Sequence, residues 1–309
     1  MKACRVHEFG GPEVVRIDHV EPAAPGPGQI LVRVSAAGVG PWDAWVRSGK
    51  SVLDQPLPLT LGADFSGVVA QVGPDTPGLE PGHEVFGVTN GQFTGAHAEY
   101  ALAEALGVAA KAKRLSHVEA AAAPVVAVTA WQMLFEHGRV LAGERVLIHG
   151  AGGSVGAAAV QLARAAGATV IGTDIGEGYA YARSLGDGHV VDMQHERFED
   201  YAEGVDVVID TVGGAVQRRS FEVLKPGGRL ISSVMQPELQ LAASRSILAK
   251  FMLVQVTRAA LLHVGELLDS RRLIVRVGTV LPLEQARAAH EMLDGKRPRQ
   301  PGKIVLQVS

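Results

Sequence analysis

Glycines 150, 152, 153 and 156 crowd one turn in the stretch VLIHGAGGSVGAAAVQLARAAGATVIGTD, residues 146–174. The run begins as G-x-G-x-x-G, but its sixth position is Val155 and Gly156 comes one residue late. The spacing that fits is G-x-x-G-x-x-G, through Gly150, Gly153 and Gly156. Small residues here, Ala151 included, permit a sharp turn and bring backbone close to a bound pyrophosphate. N–H groups at the helix start, near Ser154 and Val155, can donate to phosphate oxygens with the helix dipole behind them. Gly156 lets that helix pack tightly on its strand. Thr173 and Asp174 close the next apolar strand, where a carboxylate accepts from ribose hydroxyls and repels a 2′-phosphate. Asp174 thus favours NAD(H), with NADP(H) as the alternative. The other role open to Asp174 is to turn away and cap the helix that begins near Gly176.

Such a loop has meaning only between a strand and a helix, and the surrounding pattern supplies both. RVLIHG is a short apolar strand, SVGAAAVQLARAAG a small-residue helix and ATVIGTD a second strand. The alternation continues through a helix at 179–185, the strand HVVD, VDVVIDTVGG, a helix through 221–224, the turn KPGG and the strand RLISSV. Short apolar strands alternating with helices predict a parallel, doubly wound sheet buried on both faces. Val212 and Gly213, then Ser232 and Ser233, end two of its strands at the carboxyl edge, where a ligand would lie. The first hundred-odd residues differ: QILVRVSAAGV alternates at period two, and EPAAPGPGQ and GPDTPGLEPGHE are turn material. SHVE, from Ser116, has the spacing of a capping box. The tail GKIVLQV returns to the first style, so the first domain is expected to be discontinuous, 1–116 and 272–309, around a second domain at 117–271.

Composition narrows the class. The 309 residues are 47% hydrophobic and 20% charged, with a net charge of −3, which argues against disorder and against a nucleic-acid binder. Lys296, Arg297 and Arg299 read as a solvated turn. The only cysteine, Cys4, excludes an intrachain disulfide and a multi-cysteine zinc site. No apolar run is long enough to span a membrane, and MKACRVHEFGGPE lacks a signal-peptide core. A cytoplasmic protein is expected.

In order along the chain, PGPGQILVRVSAAGV, RSG, LGADFSGVVAQVG, LEPGHEVFG, GAHAEYAL, AAAPVVAVTAW, VLIHGAGGSVG, DTVGG, LKPGGRLIS and GKIVL resemble the zinc-independent medium-chain dehydrogenases/reductases, in their quinone oxidoreductase-like branch. The resemblance covers nearly the whole chain. It implies an α/β protein with a GroES-like β domain and a Rossmann domain, the active site lying in the cleft between them.

Departures from the family pattern matter as much. Zinc-dependent relatives carry a catalytic cysteine where Gly40 stands and Gly-His-Glu where Gly62, Ala63 and Asp64 stand. With neither ligand in place, metal catalysis is not expected, and His83 and His97 do not restore a three-ligand set. Quinone reductase relatives often have Asn at the position of Gly40 and Tyr at that of Trp45. Here Trp42 and Trp45 offer flat area either for stacking or for core packing. Relatives that use NADPH have Lys where Tyr179 stands and Tyr where Met193 stands, so both departures agree with Asp174. Arg183 lies one helical turn further on.

The chemistry implied is hydride transfer from a nicotinamide to a bound electrophile. Thr129, in AVTAW, matches a position that lies against the nicotinamide in relatives. Without zinc nothing strong polarises a simple ketone, whereas a quinone or the C=C of an α,β-unsaturated carbonyl delocalises the incoming charge. Asp43 and Asp64 are candidates for a general acid by location alone. Two other readings stay open: a cofactor-binding sensor or structural protein with little turnover, and an acyl-thioester enoyl reductase. The apolar stretch AKFMLVQV is expected to form an edge strand through which two copies pair as a homodimer.

Overall fold

The structure, a computed structural model, describes residues 1–186 and 188–308. The chain divides into two compact units: Met1–Val125, Val256–Arg271 and Arg276–Ser309 form one, and Val126–Gln255 with Arg272–Val275 form the other. The helix Arg258–Asp269, expected with the dinucleotide domain, lies in the first unit. There Asp269 accepts the N–H groups of Lys113 and Arg114.

In the second unit six strands form one parallel sheet. Their order is His189–Asp192, Thr169–Asp174, Arg145–His149, Val205–Asp210, Leu224–Ser232 and Leu248–Phe251. The order reverses on either side of Arg145–His149, which makes that strand the switch point of a doubly wound Rossmann sheet. Strand interiors such as Val146, Leu147, Ile148, Val207, Val208 and Ile209 are fully buried, as a sheet covered on both faces requires. The helix Ser154–Ala165 buries Gly156, Ala157, Ala158 and Ala159 in its first turns; side chains this small let it lie close to the sheet.

Two local expectations shift. The helix read through 221–224 is instead Gly214–Ser220, and Leu224–Ser232 absorbs KPGG as an irregular strand start. Phe221, Val223 and Leu224 are drawn into the core cluster that holds Phe198 and Leu230, and burial there outweighs helical continuation. The edge strand read across AKFMLVQV is shorter, Leu248–Phe251.

The first unit is built around a seven-stranded sheet. Its path is Val277–Pro282, Lys303–Gln307, Gln29–Val39, Asp64–Val72, Glu84–Val88 and Val108–Ala110, with Tyr100–Glu104 paired to Gln29–Val39. All its pairings are antiparallel except that of Val277–Pro282 with Lys303–Gln307. The C-terminal strand thus sits beside the long N-terminal one. The capping box at Ser116 forms as read, Ser116 and Glu119 bonding each other's backbone N–H. No described helix is long and apolar enough to cross a membrane.

Candidate functional site

The glycine turn lies at the carboxyl end of the switch-point strand. Gly150 has φ +73°, a left-handed conformation that glycine adopts without strain. Its N–H and that of Ala151 both donate to the Thr173 carbonyl, at 2.9 and 3.0 Å. The next turn closes with Gly153 N–H donating to Gly150 O at 2.9 Å, and Ala157 N–H makes the first helical bond to Gly153 O. The amides of Ser154, Val155 and Gly156 precede that bond and head the first turn. This is the arrangement that receives phosphate oxygens.

A side chain at two of these glycines would collide with backbone. A Cβ on Gly156 would lie 2.0 Å from the Gly150 carbonyl, and one on Gly152 would lie 2.0 Å from the Gly178 carbonyl. The Asp174 carboxylate lies on the same spot. Oδ2 accepts Gly152 N–H at 2.7 Å and Oδ1 accepts Ile175 N–H at 2.8 Å. Of the two roles open to Asp174, the bond to Gly152 holds it on the loop, and the bond to Ile175 also ties it to the start of the helix Gly176–Ser184. Each oxygen keeps a second lone pair for a ribose hydroxyl. Tyr179 is half-buried on that helix, with the Arg183 guanidinium 5.8 Å from its ring centre.

Other predicted cofactor residues separate into two kinds. Val212 is 53% exposed at the end of its strand, and Gly213 follows with φ +78°. Ser233 is half-buried and gives its N–H to Asp210 O. The side chains of Thr173 and Ser232 instead point into the protein. Thr173 Oγ1 meets His149 Nδ1 at 2.8 Å, and Ser232 Oγ donates to Asp210 Oδ2 at 2.8 Å. Both act behind the loops, Thr173 also through its carbonyl.

The sequence reading missed Asp210. This fully buried carboxylate takes Val212 and Gly213 N–H on Oδ1, and Gln217 Nε2 and Ser232 Oγ on Oδ2. Four donors leave no lone pair wanting. Gly178 was missed as well: its Cβ would lie 2.5 Å from Asp174 Oδ1.

In the first unit, the would-be catalytic carboxylates are both fully buried. Asp64 Oδ2 pairs with Lys303 Nζ at 2.9 Å and Oδ1 accepts Val125 N–H at 2.9 Å. Asp43 Oδ2 accepts Gly40 N–H at 2.7 Å, within the first turn of the helix Pro41–Arg47. Burial pushes the Asp43 carboxyl up to about 7, against the pull of the Gly40 N–H and the Lys303 charge. Neither carboxyl is open to solvent, so each is placed to hold structure. Trp45 is 40% exposed on the same helix, while Thr129 is buried in the helix Pro124–Trp131.

The residues where zinc would bind do not suit a metal. A Cβ on Gly40 would strike the Trp42 indole at 2.4 Å, and Lys303 Nζ lies over that indole, 3.9 Å from a ring centre. Asp64 is committed to Lys303, and His97 Nε2 lies 3.0 Å from Gly38 O. Among the described residues no three His, Cys, Asp or Glu side chains gather as a metal set.

Residues 26–134 match the family model described as alcohol dehydrogenase GroES-like domain, and residues 185–306 match that described as zinc-binding dehydrogenase. Quinone oxidoreductase of Homo sapiens is 32% identical over 310 residues, 94% of this chain and 93% of that protein. The structure of the quinone oxidoreductase from Coxiella burnetii superposes with a TM-score of 0.93 at 32% identity, covering 100% of this chain and 99% of the other. Escherichia coli quinone oxidoreductase complexed with NADPH gives 0.89 at 26% identity, with 99% and 100% covered.

Two outcomes test the buried charges. Lys303→Met strands the Asp64 carboxylate and costs about 3–5 kcal/mol in urea unfolding, most of which Lys303→Met/Asp64→Leu restores. Asp43 has a folded pKa near 7 and an ordinary value of 3.8 unfolded. From pH 4 to 7 the unfolded chain releases this proton while the folded one keeps it, so stability falls as pH rises, by at most about tenfold in the folding constant per unit. Asp43→Asn does not titrate. Its stability relative to the parent therefore climbs from pH 4 to 7 and then levels, as thermal unfolding across that range will show.

Proposed function

The chain belongs to the medium-chain dehydrogenases/reductases, in their quinone oxidoreductase-like branch, and on that premise we propose that it reduces quinones or conjugated enones with NADH. It is an oxidoreductase with a nicotinamide cofactor site. Bound NADH supplies a hydride at its nicotinamide C4. One hydride and one proton convert a quinone to a hydroquinone, or saturate the C=C of an α,β-unsaturated carbonyl.

The observation that carries the reading is the occupied metal position: Trp42 covers Gly40, and Lys303 neutralises Asp64. A site of this kind suits electrophiles that spread charge themselves and need no Lewis acid. With Asp43 and Asp64 buried, the proton comes from water. Trp45 offers an exposed indole face for a flat acceptor, and Thr129 is the residue assigned to the nicotinamide. Ser154 and Val155 amides hold the pyrophosphate, with Val212, Gly213 and Ser233 at the nicotinamide ribose. The preference for NADH over NADPH rests on the Asp174 carboxylate, already fixed on Gly152 N–H. Leu248, 69% exposed on the terminal strand of the sheet, supports pairing of two copies there. A cytoplasmic setting suits the single buried thiol of Cys4.

The purified protein is expected to oxidise NADH when benzoquinone or methyl vinyl ketone is added, undiminished by EDTA. NADH should be preferred over NADPH by at least about tenfold in kcat/KM, and Asp174→Ser should narrow that to within about threefold, because one unit of like-charge repulsion is gone. A requirement for zinc, or faster oxidation of simple alcohols, overturns the reading. NADH binding with no acceptor turned over would favour the sensor role instead.

A further inference from the structure

Four polar residues stand in register at or next to the ends of four neighbouring strands of the parallel sheet. Thr173 pairs with His149, His149 with Asp210, and Asp210 with Ser232. All four are buried, directly behind the turns that carry the candidate cofactor groups. Each is bonded to a turn. Thr173 O holds Gly150 and Ala151 N–H, Asp210 holds Val212 and Gly213 N–H, and Ser232 Oγ accepts Val234 and Met235 N–H at 3.3 Å. The His149 carbonyl accepts Thr211 Oγ1 at 2.7 Å.

The bonds of the His149 ring fix its tautomer. Ser220 has one hydroxyl proton, and it goes to Val216 O at 2.8 Å. Ser220 Oγ therefore accepts from His149 Nε2, 2.8 Å away, and Nε2 carries the ring hydrogen. Nδ1 is then a bare acceptor, so the 2.8 Å contact with Thr173 Oγ1 is a bond donated by the threonine. That hydroxyl fixes the side chain of the one residue whose carbonyl anchors both Gly150 and Ala151. The edge of Phe198 closes the ring in, 4.8 Å between centres at 76°. Burial keeps the imidazole neutral, its pKa lowered to about 4, so the acceptor persists at neutral pH.

We propose that His149 is the positioning residue of the cofactor loop: by accepting from Thr173 it sets the carbonyl that holds Gly150 and Ala151, and so fixes the phosphate-facing amides before any nucleotide arrives. The inference rests on the nicotinamide reading above and goes beyond it, since His149 touches no ligand. Fixing a loop in its bound form raises affinity by removing an ordering cost from the binding step.

Two conservative replacements separate the two ring nitrogens. In His149→Asn the amide oxygen stands near the place of Nδ1 and keeps an acceptor for Thr173. In His149→Gln the amide reaches the place of Nε2 and keeps a donor for Ser220. Thr173→Val removes the hydroxyl at nearly constant size. NADH affinity is measured by fluorescence titration, alongside thermal unfolding and kcat at saturating NADH with benzoquinone. His149→Gln and Thr173→Val are expected to lose about tenfold in NADH affinity, His149→Asn less than about threefold, and kcat to move less than about threefold in all. A merely structural role would make affinity follow the melting temperature in every variant. Equal losses for Asn and Gln, or a Thr173→Val protein that binds like the parent, overturn the proposal; if His149→Gln fails to fold, Thr173→Val decides. A parent protein that binds neither NADH nor NADPH would instead defeat the cofactor reading itself, and this proposal with it.

Discussion

Close approach of one backbone to another governs the dinucleotide end of the second unit. Gly156 brings the helix Ser154–Ala165 against the Gly150 carbonyl, and Gly152 meets the carbonyl of Gly178, both at distances that exclude any Cβ. Two turns separate in sequence are thereby packed into one surface of peptide N–H and C=O groups. Such a surface is polar without side chains, and its donors are fixed by the fold rather than by rotamers. Asp174 belongs to it because its carboxylate lies flush against Gly178 and accepts from Gly152. The acid therefore braces the loop and the start of the following helix with one carboxylate.

The first unit shows the opposite use of buried polarity. Lys303 and Asp64 are 2% and 0% exposed and lie 2.9 Å apart, a pair whose desolvation is offset only because the partner charge and further donors are in place. The Trp42 ring adds a face for the ammonium. Among the described residues, Trp42 Nε1, Asp43 Oδ1, His97 Nδ1 and both nitrogens of His290 have no hydrogen-bond partner. Burial keeps His97 and His290 neutral, their pKa values pushed below the ordinary range. A neutral ring without a bond costs far less than a charged one. Arg5 Nε and Arg47 Nη1 also lack a partner among the described residues, but each guanidinium is held through its other nitrogens, Arg5 by Pro58 O and Arg47 by Asp294. The Lys303–Asp64 pair joins the C-terminal strand to the start of Asp64–Val72.

Much of this was legible in the residues. The strand, glycine turn, helix and acid announce themselves through short-range spacing, and the six parallel strands follow from apolar runs too short to be helices. The covered position at Gly40 was legible only as a missing ligand. That Trp42 replaces it depends on where an indole turns after Pro41, which spacing does not encode. Asp43 and Asp64 looked exposed to chemistry because their neighbours belong to the site region, yet both are fully buried, and Asp64 pairs with Lys303, more than two hundred residues away. The helix at 221–224 failed for the same reason, since Phe221 and Val223 answer to a core assembled from distant strands. The strand-end ladder had a visible signal that went unused. RVLIH, TVIGTD, VDVVID and RLIS each break an apolar run with a polar residue near the end, but only register shows that these residues adjoin.

The ladder and the glycines solve one problem from two sides. A loop that must present bare amides to a large anion cannot use side chains of its own for rigidity, because they would fill the space the ligand needs. Glycine, in turn, is the residue with the most freedom to lose. The order has to be imposed from behind. His149, Thr173, Asp210 and Ser232 do so from the dry side of the sheet, where hydrogen bonds are not contested by water and each group is satisfied by its neighbour. Satisfaction passes along the row: Ser220 commits its proton to Val216, which settles the imidazole, which settles Thr173, whose carbonyl settles the loop. Polarity that is fully paired in the interior is thus what permits polarity that is left unpaired at the surface.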